Sequence, residues 1–239
     1  MKLVCLHGNS SSSAVFNDLR GAFDDVHTIT FPGHSGNFYS NPESDYSLNE
    51  LRAFAIRHIP QDKPFILIGN SLGGHIALEV APSLKNCTGL VLFASPPLKR
   101  PLNIEEAFMP TEVLGTFLDA HPTFESIKSS IESLCVDNSI VKLLVNDFKK
   151  TDPKFREVLA KSIADGELMD EVKILEKLTI PVYVIHGKQD PTPNIGYIRK
   201  LKGINKIFEI DNCGHYASLD SPEKFIKIIK EVIQEVHND

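Results

Sequence analysis

The chain carries the stretch FILIGNSLGG at residues 65–74, and this stretch decides the fold. Its four apolar residues, 65–68, are typical of a buried strand, and a Gly-x-Ser-x-Gly pattern follows directly. That pattern between a strand and a helix predicts a sharp turn, which exposes the Ser71 hydroxyl at the carboxyl end of a sheet. Glycines are needed because a Cβ atom in so crowded a turn would clash with the backbone. The alternative interpretation is an ordinary turn in which Ser71 only caps the helix.

Short apolar runs rich in β-branched residues recur on both sides of this stretch. They lie at 3–6, 28–31, 90–93 and 182–185, with a weaker candidate at 206–210. Runs without polar alternation suit strands that are buried on both faces, as in a parallel sheet. Helical patterns lie between them, including a capping box at 47–50 and a final helix that begins at Ser221-Pro222. The alternation predicts an α/β fold: a mostly parallel sheet of about six strands with helices on both faces.

The alternation of strand and helix stops between residues 98 and 178. Four amphipathic segments occupy this stretch, at 104–109, 126–134, 141–148 and 155–163. A structureless loop of this length is improbable in a compact domain, so a helical insert is the simplest account. We therefore expect a core formed by 1–97 and 179–239, with a helical lid at 98–178.

An acid and a base follow two later strands. Asp190 comes just after the run at 182–185, and His215 lies between the candidate strand at 206–210 and the final helix. Nucleophile, acid and base thus occur in the order Ser, Asp, His, each on a loop at the same edge of the sheet. The pattern predicts Ser71 as nucleophile, His215 as its base and Asp190 as the group that orients the base. Asp211 and Asp220 are also near His215 in sequence and are the rival acids.

The first strand runs into a second sharp turn, His7-Gly8-Asn9-Ser10. We expect the backbone N–H groups of Asn9 and Leu72 to form an oxyanion hole, which stabilises the negative oxygen of a tetrahedral intermediate. Gly8 lets the backbone approach closely, and the Asn9 side chain can add a donor. An ordinary surface turn is the alternative.

Several further residues have two interpretations each. Phe108, Met109, Phe117 and Phe148 either line a pocket for an acyl chain or form the core of the lid itself. The three histidines closest to the turns, His7, His34 and His75, are expected to be structural. The first two would brace loops, and His75 would pack beneath the serine turn and bond a backbone group.

Composition limits the class of partner. Among 239 residues, 25 Lys and Arg stand against 31 Asp and Glu, which gives a formal charge of −6 and no basic surface for nucleic acid or an anionic membrane. A small neutral apolar acyl substrate fits this balance better than a polyanion. The four cysteines form no CxxC pair, so we expect neither a disulfide framework nor a metal site, and no cofactor. The apolar run before His7 is too short for a secretion signal, so a cytoplasmic location is expected; the oligomeric state is not predicted.

Taken together, these motifs resemble the α/β-hydrolase superfamily. The resemblance rests on His7-Gly8, Pro32-Gly33-His34, the serine turn, the stretch 186–190 and Gly214-His215. Residues 98–178 stand in the place of that family's helical lid. The stretches 7–10, 71–75, 93–97 and 211–215 are similar to the α/β-hydrolase type of N-acyl-homoserine lactone hydrolase, although Asp190 stands where those enzymes carry a glutamate.

The resemblance implies hydrolysis of a carboxylic ester or lactone through an acyl-enzyme on Ser71. Serine at this position argues against haloalkane dehalogenases and epoxide hydrolases, which place an aspartate there. Two alternatives remain open: a carbon–carbon bond hydrolase or lyase with the same triad, and a small-molecule receptor with incidental turnover.

Overall fold

A computed structural model describes residues 1–38 and 45–238 of the chain. Within these residues the sheet has six strands: β1 Lys2–Leu6, β2 Val26–Ile29, β3 Phe65–Asn70, β4 Cys87–Phe93, β5 Val182–Gly187 and β6 Lys206–Ile210. Their order is β2-β1-β3-β4-β5-β6, and every neighbouring pair is parallel. The α/β fold with a parallel six-stranded sheet and flanking helices is therefore confirmed.

Twelve helices accompany the sheet in the described part of the chain. They are α1 Asn17–Ala22, α2 Leu48–His58, α3 Leu72–Val80, α4 Ile104–Ala107, α5 Val113–Leu118, α6 Phe124–Leu134, α7 Val141–Lys149, α8 Pro153–Ala164, α9 Glu171–Leu175, α10 Ile195–Ile198, α11 Ala217–Asp220 and α12 Pro222–Asn238. Ser47 caps α2 by accepting the N–H of Glu50, as the capping box predicts. None of the helices formed by residues 1–38 and 45–238 is long and apolar enough to cross a bilayer. The cytoplasmic location stays a prediction.

The central strands are buried because both faces of the sheet are covered. Along β3, Phe65 and Leu67 belong to a hydrophobic cluster that includes residues of α2 and α3. Ile66 and Ile68, which point the opposite way, belong to a second cluster with residues of α1 and α12. This alternation explains why the strands are apolar without a break.

The second strand lies two residues earlier than the sequence predicts. Instead of spanning 28–31, it ends at Ile29, which is opposite Leu6 at the end of β1. Beyond that point the N–H of Phe31 donates to Nε2 of His7, at 3.0 Å. A side chain thus replaces the strand as the hydrogen-bond acceptor, and the chain turns away at Pro32.

The long segment between β4 and β5, which we call the helical insert (residues 94–181), contains α4 to α9. Its first predicted segment, 104–109, is helical only as far as Ala107. Phe108 instead pairs with Pro193 in an antiparallel bridge, and the N–H of Met109 donates to the Thr192 carbonyl at 2.9 Å. Insert residues share the two clusters of the sheet, with Phe155 in one and Phe148 in the other. The division into a core and a lid at 98–178 stays a prediction.

Candidate active site

Ser71 occupies a strained turn between β3 and α3. Its φ of 51° and ψ of −121° fall in a region that residues with a Cβ atom rarely adopt. The Ser71 N–H donates to the Phe93 carbonyl at 3.0 Å, and the Ser71 carbonyl accepts the N–H of Gly74 at 2.8 Å. The end of β4 and the first turn of α3 therefore hold the serine in this conformation.

Two glycines of the motif allow this turn to pack. A Cβ atom on Gly69 would lie 2.4 Å from the Cα of Gly74, and one on Gly73 would lie 2.3 Å from the carbonyl oxygen of Leu6. Neither distance is possible for real atoms, so the clash that the sequence predicts is confirmed. The close approach of Gly73 brings the end of β1, and with it the turn at residues 7–10, beside Ser71.

His215 and Asp190 form a buried pair. Nδ1 of His215 lies 2.9 Å from Oδ2 of Asp190, and the two side chains are 8% and 2% exposed. Thr192 donates to the other carboxylate oxygen twice, from its N–H at 3.0 Å and from its hydroxyl at 2.8 Å. This leaves Oδ2 of Asp190 facing the imidazole. Thr192 was not predicted from the sequence, although an aspartate that accepts from the residue two positions later is a common turn signal.

The two alternative acids, Asp211 and Asp220, bond other groups in the structure. Asp211 is on the surface, 72% exposed at its side chain, and pairs with Lys188 at 2.7 Å. Asp220 accepts the backbone N–H groups of Val136, Asp137 and Gly214. It therefore ties the loop before His215 to the helical insert, and burial raises the pKa of its carboxyl.

Asn9 and Leu72 both line the cavity that Ser71 faces. Among residues 1–38 and 45–238, the backbone N–H groups of these two residues have no protein acceptor. The role of the Asn9 side chain as an extra donor stays a prediction. This side chain donates one of its two Nδ2 hydrogens to the carbonyl of Phe117 at 2.6 Å. It ties the turn to α5.

His7 and His34 brace this turn from behind. Nε2 of His7 accepts the N–H of Phe31, and Nε2 of His34 accepts the N–H of Ser10 at 3.1 Å. A ring nitrogen accepts a hydrogen bond only when it carries no hydrogen, so both imidazoles must be neutral. Burial favours that state, because it lowers the pKa of His7 to about 4 and the pKa of His34 well below its usual value. The two histidines brace loops, as the sequence predicts.

A largely apolar cavity opens beside Ser71. The space between atoms inside it, counting its open mouth, is about 920 Å³. Its lining consists of Gly8, Asn9, Leu48, Ser71, Leu72, His75, Leu98, Ile104, Phe108, Val113, Leu114, Phe117, Leu118, Leu134, Leu159, Ile163, Leu168, Thr192, His215 and Tyr216. The cavity thus joins the serine turn, the histidine loop and the helical insert.

The four insert residues predicted to contact substrate divide into two pairs. Phe108 and Phe117 line the cavity. Met109 and Phe148 do not, and for them the interpretation as substrate contacts is corrected. Met109 is 46% exposed because it follows the bridge to the loop at Pro193. Phe148 is 1% exposed, lies edge-on to Phe117 and packs under the guanidinium of Arg156, so it belongs to the core.

The structure brings Ser71 and His215 to the wall of one cavity, with Asp190 directly behind the imidazole. In the described residues no hydrogen bond joins the Ser71 hydroxyl to His215, so their pairing stays a prediction. No group of three or more His, Cys, Asp or Glu side chains within 1–38 and 45–238 is arranged to hold a metal ion.

His75 also lines the cavity, and its partner differs from the expected backbone group. Its Nδ1 lies 2.9 and 3.0 Å from the two carboxylate oxygens of Glu171 on α9. Glu171 was not predicted from the sequence, because it is separated from His75 by 96 positions and carries no local motif.

The fold and this arrangement agree with a match to a family model. The chain belongs to the alpha/beta hydrolase family, whose model matches residues 3–228. Monoacylglycerol lipase ABHD6 of Mus musculus is 25% identical over 238 residues, covering 88% of this chain and 68% of the relative. A 2-hydroxy-6-oxononadienedioate/2-hydroxy-6-oxononatrienedioate hydrolase of Dechloromonas aromatica is 27% identical, covering 78% of this chain and 69% of the relative.

Solved structures show the same fold. N-acyl homoserine lactonase AidH, solved with N-butanoyl homoserine, superimposes with a TM-score of 0.87 at 22% identity, covering 98% of this chain and 89% of the other. The chain is thus a hydrolase-family protein whose fold resembles that of a lactonase.

Proposed function

We propose that this chain is a serine hydrolase that cleaves a neutral carboxylic ester or lactone through an acyl-enzyme on Ser71. One observation carries the proposal: the strained Ser71 turn and the buried His215–Asp190 pair meet at the wall of one apolar cavity. Relatives described as lipases and esterases support the ester-hydrolase class.

In the first step His215 takes the Ser71 proton through Nε2 while the hydroxyl oxygen attacks the carbonyl carbon of the substrate. Asp190 accepts a hydrogen bond from Nδ1–H of His215, which keeps the proton on Nδ1 and leaves Nε2 free to act as a base. Thr192 occupies the other oxygen of Asp190, which fixes the orientation of the carboxylate. The imidazolium that forms is stabilised by the same carboxylate.

The carbonyl oxygen becomes negative in the tetrahedral intermediate and would accept the N–H groups of Asn9 and Leu72. Their freedom from protein acceptors and their place in the cavity lining support this role. His215 then protonates the leaving alcohol, and a water that it activates releases the acid. In a lactone the alcohol and the acid are the two ends of one product.

The substrate class follows from the cavity. Leu, Ile, Phe and Val side chains contributed largely by the insert surround the site, which favours a neutral apolar acyl chain, and the insert serves as a lid. Similarity in fold to a lactonase that binds N-butanoyl homoserine supports N-acyl-homoserine lactones as one candidate. The similarity to the Dechloromonas hydrolase keeps carbon–carbon bond hydrolysis as the second candidate function.

A hydrolysis panel tests the proposal. It contains p-nitrophenyl esters of increasing acyl length, N-acyl-homoserine lactones and vinylogous diketones that report carbon–carbon cleavage. We expect steady turnover of esters or lactones, complete loss in Ser71→Ala, and labelling of the wild-type protein but not Ser71→Ala by a fluorophosphonate.

Three results would count against the proposal. Labelling that persists in Ser71→Ala would assign the nucleophile to another residue. Turnover of diketones alone would favour the carbon–carbon hydrolase. Tight binding of lactones with negligible turnover would favour a small-molecule receptor.

A further inference from the structure

The wall of the cavity includes a second buried polar pair, formed by His75 and Glu171. His75 lies one helical turn after Ser71 on α3, and Glu171 begins α9. Glu171 is fully buried, and besides His75 its carboxylate accepts the N–H of Leu98 at 2.6 Å. These partners fix the carboxylate, and the carboxylate in turn fixes the imidazole.

One edge of the His75 ring remains available to a ligand. Nδ1 donates to Glu171, while Nε2 has no protein partner among the residues that the structure describes. The side chain is 12% exposed and lines the cavity, with its ring centroid 6.4 Å from that of Phe108. A polar nitrogen in a largely apolar cavity is costly unless a ligand or water hydrogen-bonds to it.

The charges around His75 determine what Nε2 offers. Burial by itself lowers the pKa of His75, but the adjacent Glu171 carboxylate outweighs that effect, and the pKa is raised above its usual value. The Glu79 carboxylate also raises the pKa of His75, and Glu79 itself pairs with Arg52 at 2.6 Å. The protonated form, with a hydrogen on Nε2, is therefore more populated than in an ordinary histidine.

We propose that His75 is a specificity-determining residue whose Nε2–H binds a neutral acceptor oxygen, such as a keto or amide carbonyl, in the acyl part of the substrate. This inference rests on the proposed ester or lactone hydrolysis at Ser71. The acceptor is neutral because the protonated His75 and Glu171 together carry no net charge, so a carboxylate would gain little. We expect this oxygen within several bonds of the reacting carbonyl, because His75 lies four positions after the N-cap Ser71, a rise of about 6 Å along α3.

Matched substrates test this inference. Each pair consists of two aryl esters of equal chain length, one with a plain acyl chain and one with a single keto group at a position from the third to the eighth carbon. The measured quantity is the ratio of kcat/KM for the keto ester to that for the plain ester, after subtraction of spontaneous hydrolysis. Taking the ratio within each variant removes any general loss of activity.

We expect the ratio to reach about tenfold at one or two positions in the wild type, which is the size of a hydrogen bond to a charged donor. It should fall to about one in His75→Leu, and Glu171→Gln should reduce it because the neutral amide no longer favours protonated His75. His58→Leu, which alters an exposed histidine on α2, is the matched control and should keep the wild-type ratio. Chains that end in a carboxylate should show no such gain.

A binding measurement keeps this inference separate from the proposed function. In Ser71→Ala the same ester pairs are compared by isothermal titration calorimetry, with and without His75→Leu, so the ratio of dissociation constants needs no turnover. A keto preference that depends on His75 supports the inference even where hydrolysis fails. A wild-type ratio near one at every position, an unchanged ratio in both His75→Leu and Glu171→Gln, or a preference for carboxylates would overturn it.

Discussion

Replacing Asp190 by Asn tests the acid of the proposed triad most directly. The N–H of Thr192 lies 3.0 Å from Oδ1 of Asp190 and can only donate. In Asp190→Asn the amide oxygen must therefore stay at this position, which turns the amide NH₂ toward Nδ1 of His215. The imidazole then accepts at Nδ1 and carries its proton at Nε2, where a base is needed.

The size of the effect has two parts. In Asp190→Asn, Nε2 of His215 can act as a base only if the amide turns around and presents its oxygen to Nδ1–H. The amide NH₂ then faces the Thr192 N–H, and two opposed donors cost about 1–3 kcal/mol. Removing the carboxylate also removes its attraction for the imidazolium, about 1–4 kcal/mol for charges about 4 Å apart at effective dielectric constants between about 80 and 20. The sum of roughly 5 kcal/mol predicts a loss in kcat of several thousandfold. KM should change little, because neither the side chain at position 190 nor the Thr192 N–H that bonds it binds substrate in the proposed mechanism.

The assay is steady-state hydrolysis of the best ester or lactone from the panel, with circular dichroism to check folding. Asp211→Asn, which alters an exposed aspartate paired with Lys188, is the matched control and should stay within twofold of wild type. If Asp190→Asn retains more than a tenth of the wild-type kcat while Asp220→Asn is inactive, the wrong carboxylate has been identified.

Three further predictions concern the cavity, the turn and the buried histidines. Rates for plain esters should rise severalfold for each early addition of two carbons, since each buried methylene contributes up to about 0.8 kcal/mol, and then level off; a flat series from acetyl to hexanoyl would contradict the acyl pocket. Gly73→Ala should lower the Tm by several degrees because its Cβ would meet the Leu6 carbonyl at 2.3 Å, whereas Gly21→Ala, with no atom within 4 Å, should not. The free energy of unfolding should fall as the pH drops from 6.5 toward 4, because His7 binds a proton in the unfolded state but stays neutral when it is buried. Urea titrations should show a shallower fall in His7→Gln, and equal slopes would refute this.

The sequence predicts the strands that precede the candidate site residues because the signals for both are local. The apolar run, the glycines and the serine lie within the ten residues 65–74, and Asp190 and His215 lie within five residues of the strands that they follow. Their approach in space then follows from the parallel sheet. This is why the predicted fold agrees with the structure.

Residues that depend on packing of the insert could not be predicted in the same way. An amphipathic pattern identifies the buried side of a helix but not whether that side meets the cavity or the core. Phe117, which lines the cavity, and Phe148, which lies in the core, therefore could not be distinguished from the sequence. The His75–Glu171 pair joins residues 96 positions apart, and nothing near either residue signals the other. The shift of the second strand likewise depends on His7, a side chain outside that strand.

The helical insert donates or accepts a hydrogen bond at three loops of the candidate site: the turn at residues 7–10, the loop that carries Asp190 and the loop that carries His215. Phe117 accepts from the Asn9 side chain, the N–H of Met109 donates to the Thr192 carbonyl, and Leu134 accepts the N–H of His215 at 2.8 Å. A chimera that receives the insert of a homologue would need acceptors and donors at the same three places. Recombination between relatives should therefore yield active enzymes only when crossover points keep each loop and its insert partner from the same parent.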